Sequence, residues 1–105
     1  MIKITVRYQS TGEFLSLESL GHANSAPHGE DLVCAAVSGI LLGGINALKD
    51  ECYKLHYDEK KGSIELCNVG KMSEHDSIVI ETICRQLQAI ERDNPKFIKI
   101  SMINR

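Results

Sequence analysis

Ile2, Ile4, Val6 and Tyr8 alternate with Lys3, Thr5 and Arg7, the two-residue period of a half-buried strand. Ser10-Thr11-Gly12 supplies turn chemistry, and residues 13–20 read as a returning strand. The period then changes. Leu32, Val33, Ala36, Val37, Ile40, Leu41, Ile45 and Leu48 predict a helix with Asp31 as N-cap, ending near Lys49. Its apolar face runs almost round the axis, so burial on more than one side is expected. Gly39, Gly43 and Gly44 each cost up to about 1 kcal/mol against alanine in a helix interior. They point to close packing by a sheet or a partner chain. Residues 52–58 and 63–69 flank Glu59-Lys60-Lys61-Gly62 and form a second hairpin. Ser73 begins a second helix, with Asp76 in an imperfect capping-box position and Ile80, Ile83, Leu87 and Ile90 as its stripe. Asn94-Pro95 stops it, and residues 97–103 alternate again. The order β-β-α-β-β-α-β predicts a single α+β domain over residues 1–105, with a largely antiparallel sheet and two helices.

Residues 32–48 carry no charge, which raises the question of a membrane span. The stretch is shorter than the ~20 residues a span needs and is broken by Ser38, the glycines and Asn46. A buried helix is the better reading, and no membrane partner is expected. Over 105 residues, 12 basic side chains face 14 acidic ones, for a net charge of −2. That leaves no basic field for nucleic acid, and two phenylalanines and three tyrosines make no stacking platform. Cys34, Cys52, Cys67 and Cys84 show no Cys-x-x-Cys pairing, and the N-terminal residues show no apolar signal region. They read as reduced thiols of a cytoplasmic protein. His22, His28 and Cys34 are three ligand types without a recognisable metal frame, so neither a metal nor another cofactor is expected.

Cys52, Cys67 and Cys84 fall in strands or near the second helical stripe and read as core filler. Cys34 differs by its place. With Asp31 as N-cap it takes the third helical position, where unpaired N–H groups and the helix dipole favour a thiolate. The same N–H groups suit the oxyanion of a tetrahedral intermediate. Residues 21–30 form a loop of turn-forming residues, long for a domain this size and therefore a candidate functional segment. It opens with Gly21-His22. A histidine folded back over the helix start would activate the thiol and later protonate a leaving amine. His28 is a rival base in the same loop, whereas His56 and His75 read as surface residues.

Gly21-His22-Ala23, then Gly29, then Asp31-Leu32-Val33-Cys34-Ala35-Ala36-Val37-Ser38 resembles the signature of the ribosomal-processing cysteine protease family. The likeness extends along the chain to Asn94-Pro95-Lys96-Phe97-Ile98-Lys99-Ile100, with His and Cys twelve positions apart. Where several members carry aromatics in the loop, this chain has Ser25 and His28, with Pro27 between. The resemblance implies a cysteine endopeptidase that removes a short N-terminal extension from bacterial large-subunit ribosomal protein twenty-seven, cutting after an aromatic residue. It further implies His22 as base, Cys34 as nucleophile, Gly21 as a loop hinge, and a homodimer.

Asp31 has two readings: a helix cap, worth about 1 kcal/mol, or a third member that orients His22. Ser38 lies one turn after Cys34, where its hydroxyl bonds back to a helix carbonyl or reaches the sulfur. The competing function is a non-catalytic ribosome-associated binding module of the same fold, against which the presence of both His22 and Cys34 counts.

Overall fold

The computed structural model describes residues 1–22 and 31–104. The alternating N-terminal segment forms β1 (Ile2–Tyr8), with Ile2, Ile4 and Val6 buried and Lys3 exposed. It returns as β2 (Phe14–Leu20), paired antiparallel with β1. Then come α1 (Leu32–Asn46), the hairpin β3 (Tyr53–Asp58) and β4 (Ser63–Asn68), α2 (Glu74–Asp93) and β5 (Ile98–Asn104). The expected element order is present throughout.

The strands form one sheet in the order β3-β4-β2-β1-β5. Every neighbouring pair is antiparallel except β1 with β5, which run parallel from Ile2↔Ile98 to Tyr8↔Asn104. It follows that β2 and β3 point the same way, as do β4 and β5, so each helix is a crossover between parallel, non-adjacent strands. The two crossovers travel in opposite directions from oppositely directed strands. The right-handed rule for such connections therefore sends both helices to the same face. One core results, from Ile4, Val6, Leu17, Leu66 and Ile98 on the sheet to Val37 and Leu41 on α1 and Ile80, Ile83 and Leu87 on α2.

Helix α1 departs from expectation twice. It stops at Asn46 rather than near Lys49, because the N–H groups of Ala47 and Leu48 tighten to i−3 carbonyls, those of Gly44 and Ile45, at 3.0 and 3.1 Å. The N–H of Lys49 is then taken by the Asp76 carboxylate at 2.9 Å. Nor is α1 buried all round within the chain: Val33, Val37 and Leu41 are inside, while Leu32 is 81% and Leu42 49% exposed. Of its three glycines only Gly44 is closely packed, and the neighbour is helix α2 rather than the expected sheet or partner chain. A Cβ on Gly44 would collide with the Ile83 side chain, whereas a Cβ on Gly39 or Gly43 would meet open space.

Asp76 is the other surprise. Ser73 does cap α2, its Oγ accepting from the Asp76 N–H at 3.2 Å, but the Asp76 side chain is fully buried. Its carboxylate accepts from the N–H groups of Lys49 and Asp50, from Tyr53 Oη–H at 2.8 Å and from His75 Nδ1–H at 2.8 Å. Asp50 returns the bond, accepting from the Ser73 N–H at 2.7 Å. Burial alone would raise the Asp76 carboxyl pKa, but these donors hold it far below the usual carboxylate range. The exit of α1 is thus tied to the start of α2.

Candidate active site

Asp31 is extended, with φ −79° and ψ 99°, and its Oδ1 accepts from the Cys34 N–H at 3.0 Å. Its own carbonyl accepts from the Ala35 N–H at 3.1 Å. This is the N-cap geometry expected from the sequence, and it places Cys34 in the first turn, half-buried and packed against the core. The bonds occupy the N–H groups of Cys34 and Ala35, leaving those of Leu32 and Val33 as the helix-start donors not used by the cap.

The other half of the site hangs from the end of β2. Gly21 has φ +98°, and a Cβ there would stand 2.6 Å from the Met1 carbonyl oxygen, so both conformation and space demand glycine. Its N–H donates to the Gly62 carbonyl at 3.2 Å, which fastens this turn to the end of the β3–β4 hairpin. His22 follows directly and lies against Gly62.

Gly21, His22, Asp31, Cys34 and Ser38, the five residues singled out in the sequence, all line one cleft of about 620 Å³. Its apolar floor includes Ile2, Val37, Leu41 and Ile64. A wall the sequence reading missed comes from Tyr57, Glu59 and Gly62 of the β3–β4 hairpin. Local pattern identifies that segment as a hairpin; only the long-range pairing of β4 with β2 brings it to the site. His28, the rival base, and the loop residues Ser25, Pro27 and Gly29 lie outside the described residues.

Among the remaining cysteines, Cys84 is buried beside Tyr8 and fits the expected core role. Cys52 and Cys67 are only half-buried and do not. Burial raises the thiol pKa of both Cys84 and Cys67, with Glu65 adding to the effect at Cys67, so neither is poised as a nucleophile. His56 and His75 are both exposed, as expected, and His75 in addition has a specific partner in Asp76. Among the described residues no group of three or more His, Cys, Asp or Glu side chains is arranged to hold a metal ion. Nor is any described helix long and apolar enough to cross a membrane.

A cleft with a cysteine at a helix start and a histidine on the opposite connection suits nucleophilic acyl transfer. Comparison with known proteins agrees. The ribosomal processing cysteine protease Prp of Mycoplasma pneumoniae is 34% identical over 101 residues, covering 93% of this chain and 91% of that one. The protein of the same name from Staphylococcus aureus is 27% identical over 104 residues, covering 96% and 98%. The crystal structure of the S. aureus protease with a covalently linked product peptide matches with a TM-score of 0.91 at 27% identity, over 97% of this chain and 99% of that one. A second S. aureus structure, with a substrate peptide, matches at 0.86 and 25% identity over the same shares. The model of the family described as cysteine protease Prp matches residues 1–99, and the chain belongs to that family of ribosomal processing cysteine proteases.

Proposed function

We propose that this chain is a cytoplasmic endopeptidase that removes the N-terminal extension of bacterial large-subunit ribosomal protein twenty-seven, with Cys34 as nucleophile and His22 as base. The observation that carries the reading is that His22 and Cys34, contributed by different connections, line the same cleft. His22 takes the proton from Cys34 Sγ, and the sulfur attacks the scissile carbonyl carbon. Helix-start N–H groups not tied to Asp31 hold the oxyanion. As the tetrahedral intermediate collapses, His22 gives its proton to the leaving amine, the C–N bond breaks and a thioester remains. Water, deprotonated by His22, attacks the thioester, releasing the new carboxylate and returning the thiol. The 3.0 Å bond from the Cys34 N–H supports Asp31 as the cap that sets the helix start, in preference to a partner for His22. Ser38 lines the cleft one turn on, as a supporting residue.

The reading includes a homodimer. Its support is the groove of about 620 Å³ between α1 and α2, lined by Gly39, Ile40, Gly43, Ile78 and Val79, with Ile78 56% exposed.

The test is incubation with a peptide spanning the processing site of the ribosomal substrate, using wild type, Cys34→Ala and His22→Ala. Cleavage by the wild type alone is the expected result. Equal cleavage by Cys34→Ala overturns the dyad, and binding without cleavage by the wild type identifies a non-catalytic module.

A further inference from the structure

We infer that Gly62, in the turn between β3 and β4, is a positioning residue for the reaction: its missing side chain makes the seat in which the His22 imidazole rests. The inference rests on His22 being the base and adds a residue that acts through it. A Cβ built on Gly62 lies 2.7 Å from His22 Nε2 and 2.8 Å from His22 Cε1, closer than real Cβ atoms approach anything. It also lies 3.3 Å from the Gly21 carbonyl oxygen. The same residue holds the backbone that carries His22, since its carbonyl accepts from the Gly21 N–H at 3.2 Å. Gly62 therefore sets both the strap before the histidine and the room for its ring.

A turn glycine has an ordinary explanation, its left-handed conformation, and the structure separates the two. Gly62 has φ +61°, which asparagine adopts with little strain. Gly12, in the β1–β2 turn, has φ +89°, yet a Cβ there would meet nothing within 4 Å. If backbone conformation were the whole requirement, the two glycines would respond alike. They should not. The ring is the free end of an exposed side chain, so any Cβ at Gly62 pushes it aside at small cost to folding. The result is a folded protein whose base is displaced. A misplacement of about 1 Å at a reacting group costs on the order of 10²-fold in rate.

The experiment compares Gly62→Asn, Gly62→Ala and Gly12→Asn with wild type. It measures kcat and KM on the processing-site peptide, the pH profile of inactivation by iodoacetamide, and the His22 imidazole NMR resonances in a Cys34→Ala background. The expected result is that both Gly62 variants lose about 10²-fold in kcat, with KM within about threefold. The alkylation profile and the His22 resonances shift in these variants, and Gly12→Asn changes none of the readings. Wild-type kcat with an unmoved His22 resonance in Gly62→Asn overturns the inference and leaves the dyad standing. Full cleavage by His22→Ala overturns both. The NMR reading decides the matter even for a variant that turns over too slowly to assay.

Discussion

Replacing Asp76 with asparagine keeps the shape of the side chain and removes one of two acceptor oxygens from a fully buried site. Asp76 Oδ1 accepts from Lys49 N–H and His75 Nδ1–H, and Oδ2 from Asp50 N–H and Tyr53 Oη–H, with Lys49 N–H shared between them. Whichever end of the amide carries the NH2 group then faces donors rather than accepting from them. At about 1–3 kcal/mol for each buried polar group left unmatched, the expected destabilisation is about 3 kcal/mol. That is a large part of the 5–15 kcal/mol typical of a small domain. Urea unfolding followed by circular dichroism at pH 7 measures it directly. The pH dependence carries a sign. Because the folded carboxyl titrates below its unfolded value of about 3.9, its contribution is complete above that pH and is lost as pH falls further. The gap between wild type and Asp76→Asn should therefore close as pH drops from about 5 toward 2. A gap under about 0.5 kcal/mol at pH 7, or one that stays constant down to pH 2, refutes the reasoning.

Asp31→Ser keeps a helix cap and should retain stability and cleavage, while Asp31→Ala should lose about 1 kcal/mol in urea unfolding. A tenfold drop in kcat in Asp31→Ser at unchanged stability would instead make the carboxylate an orienting partner of His22. Gly44→Ala should cost about 1–3 kcal/mol by forcing Ile83 aside, measured as a lower melting temperature. Gly43→Leu places a side chain in open space within one chain but in the groove proposed above for a second subunit. On that proposal the wild type sediments as a dimer and the variant shifts toward monomer; a monomeric wild type refutes the dimer, and an unchanged dimer in the variant refutes this groove as its interface.

The two periodicities made the strands and helices legible, because a one-sided core imposes alternation on β1 and a 3.6-residue stripe on α2. What local pattern lacked was information about distant partners. The apolar pattern places the exit of α1 too late, because the Lys49 N–H is taken by Asp76, far along the chain. Asp76 itself looked like half a capping box, and nothing nearby in sequence announces that four residues converge on it. The site divides in the same way. Gly21, His22, Asp31 and Cys34 were readable because cap chemistry and motif spacing are local properties. Tyr57, Glu59 and Gly62 were not, because they reach the cleft through the sheet order. The apolar circumference of α1 is a property of its composition, and within one chain only one side of it is covered.

The pairing of β5 with β1 joins the most distant strands of the chain, and this has a consequence for how the protein is made. While the nascent chain is being extended, β1 can pair with β2 as soon as both have left the ribosome. Its other edge stays open until residues 98–104 emerge. A strand waiting in that state offers a row of unsatisfied N–H and C=O groups to any extended segment nearby. Lys3 and Arg7, which read from sequence simply as the wet side of an amphipathic strand, then act as guards against pairing with the wrong chain.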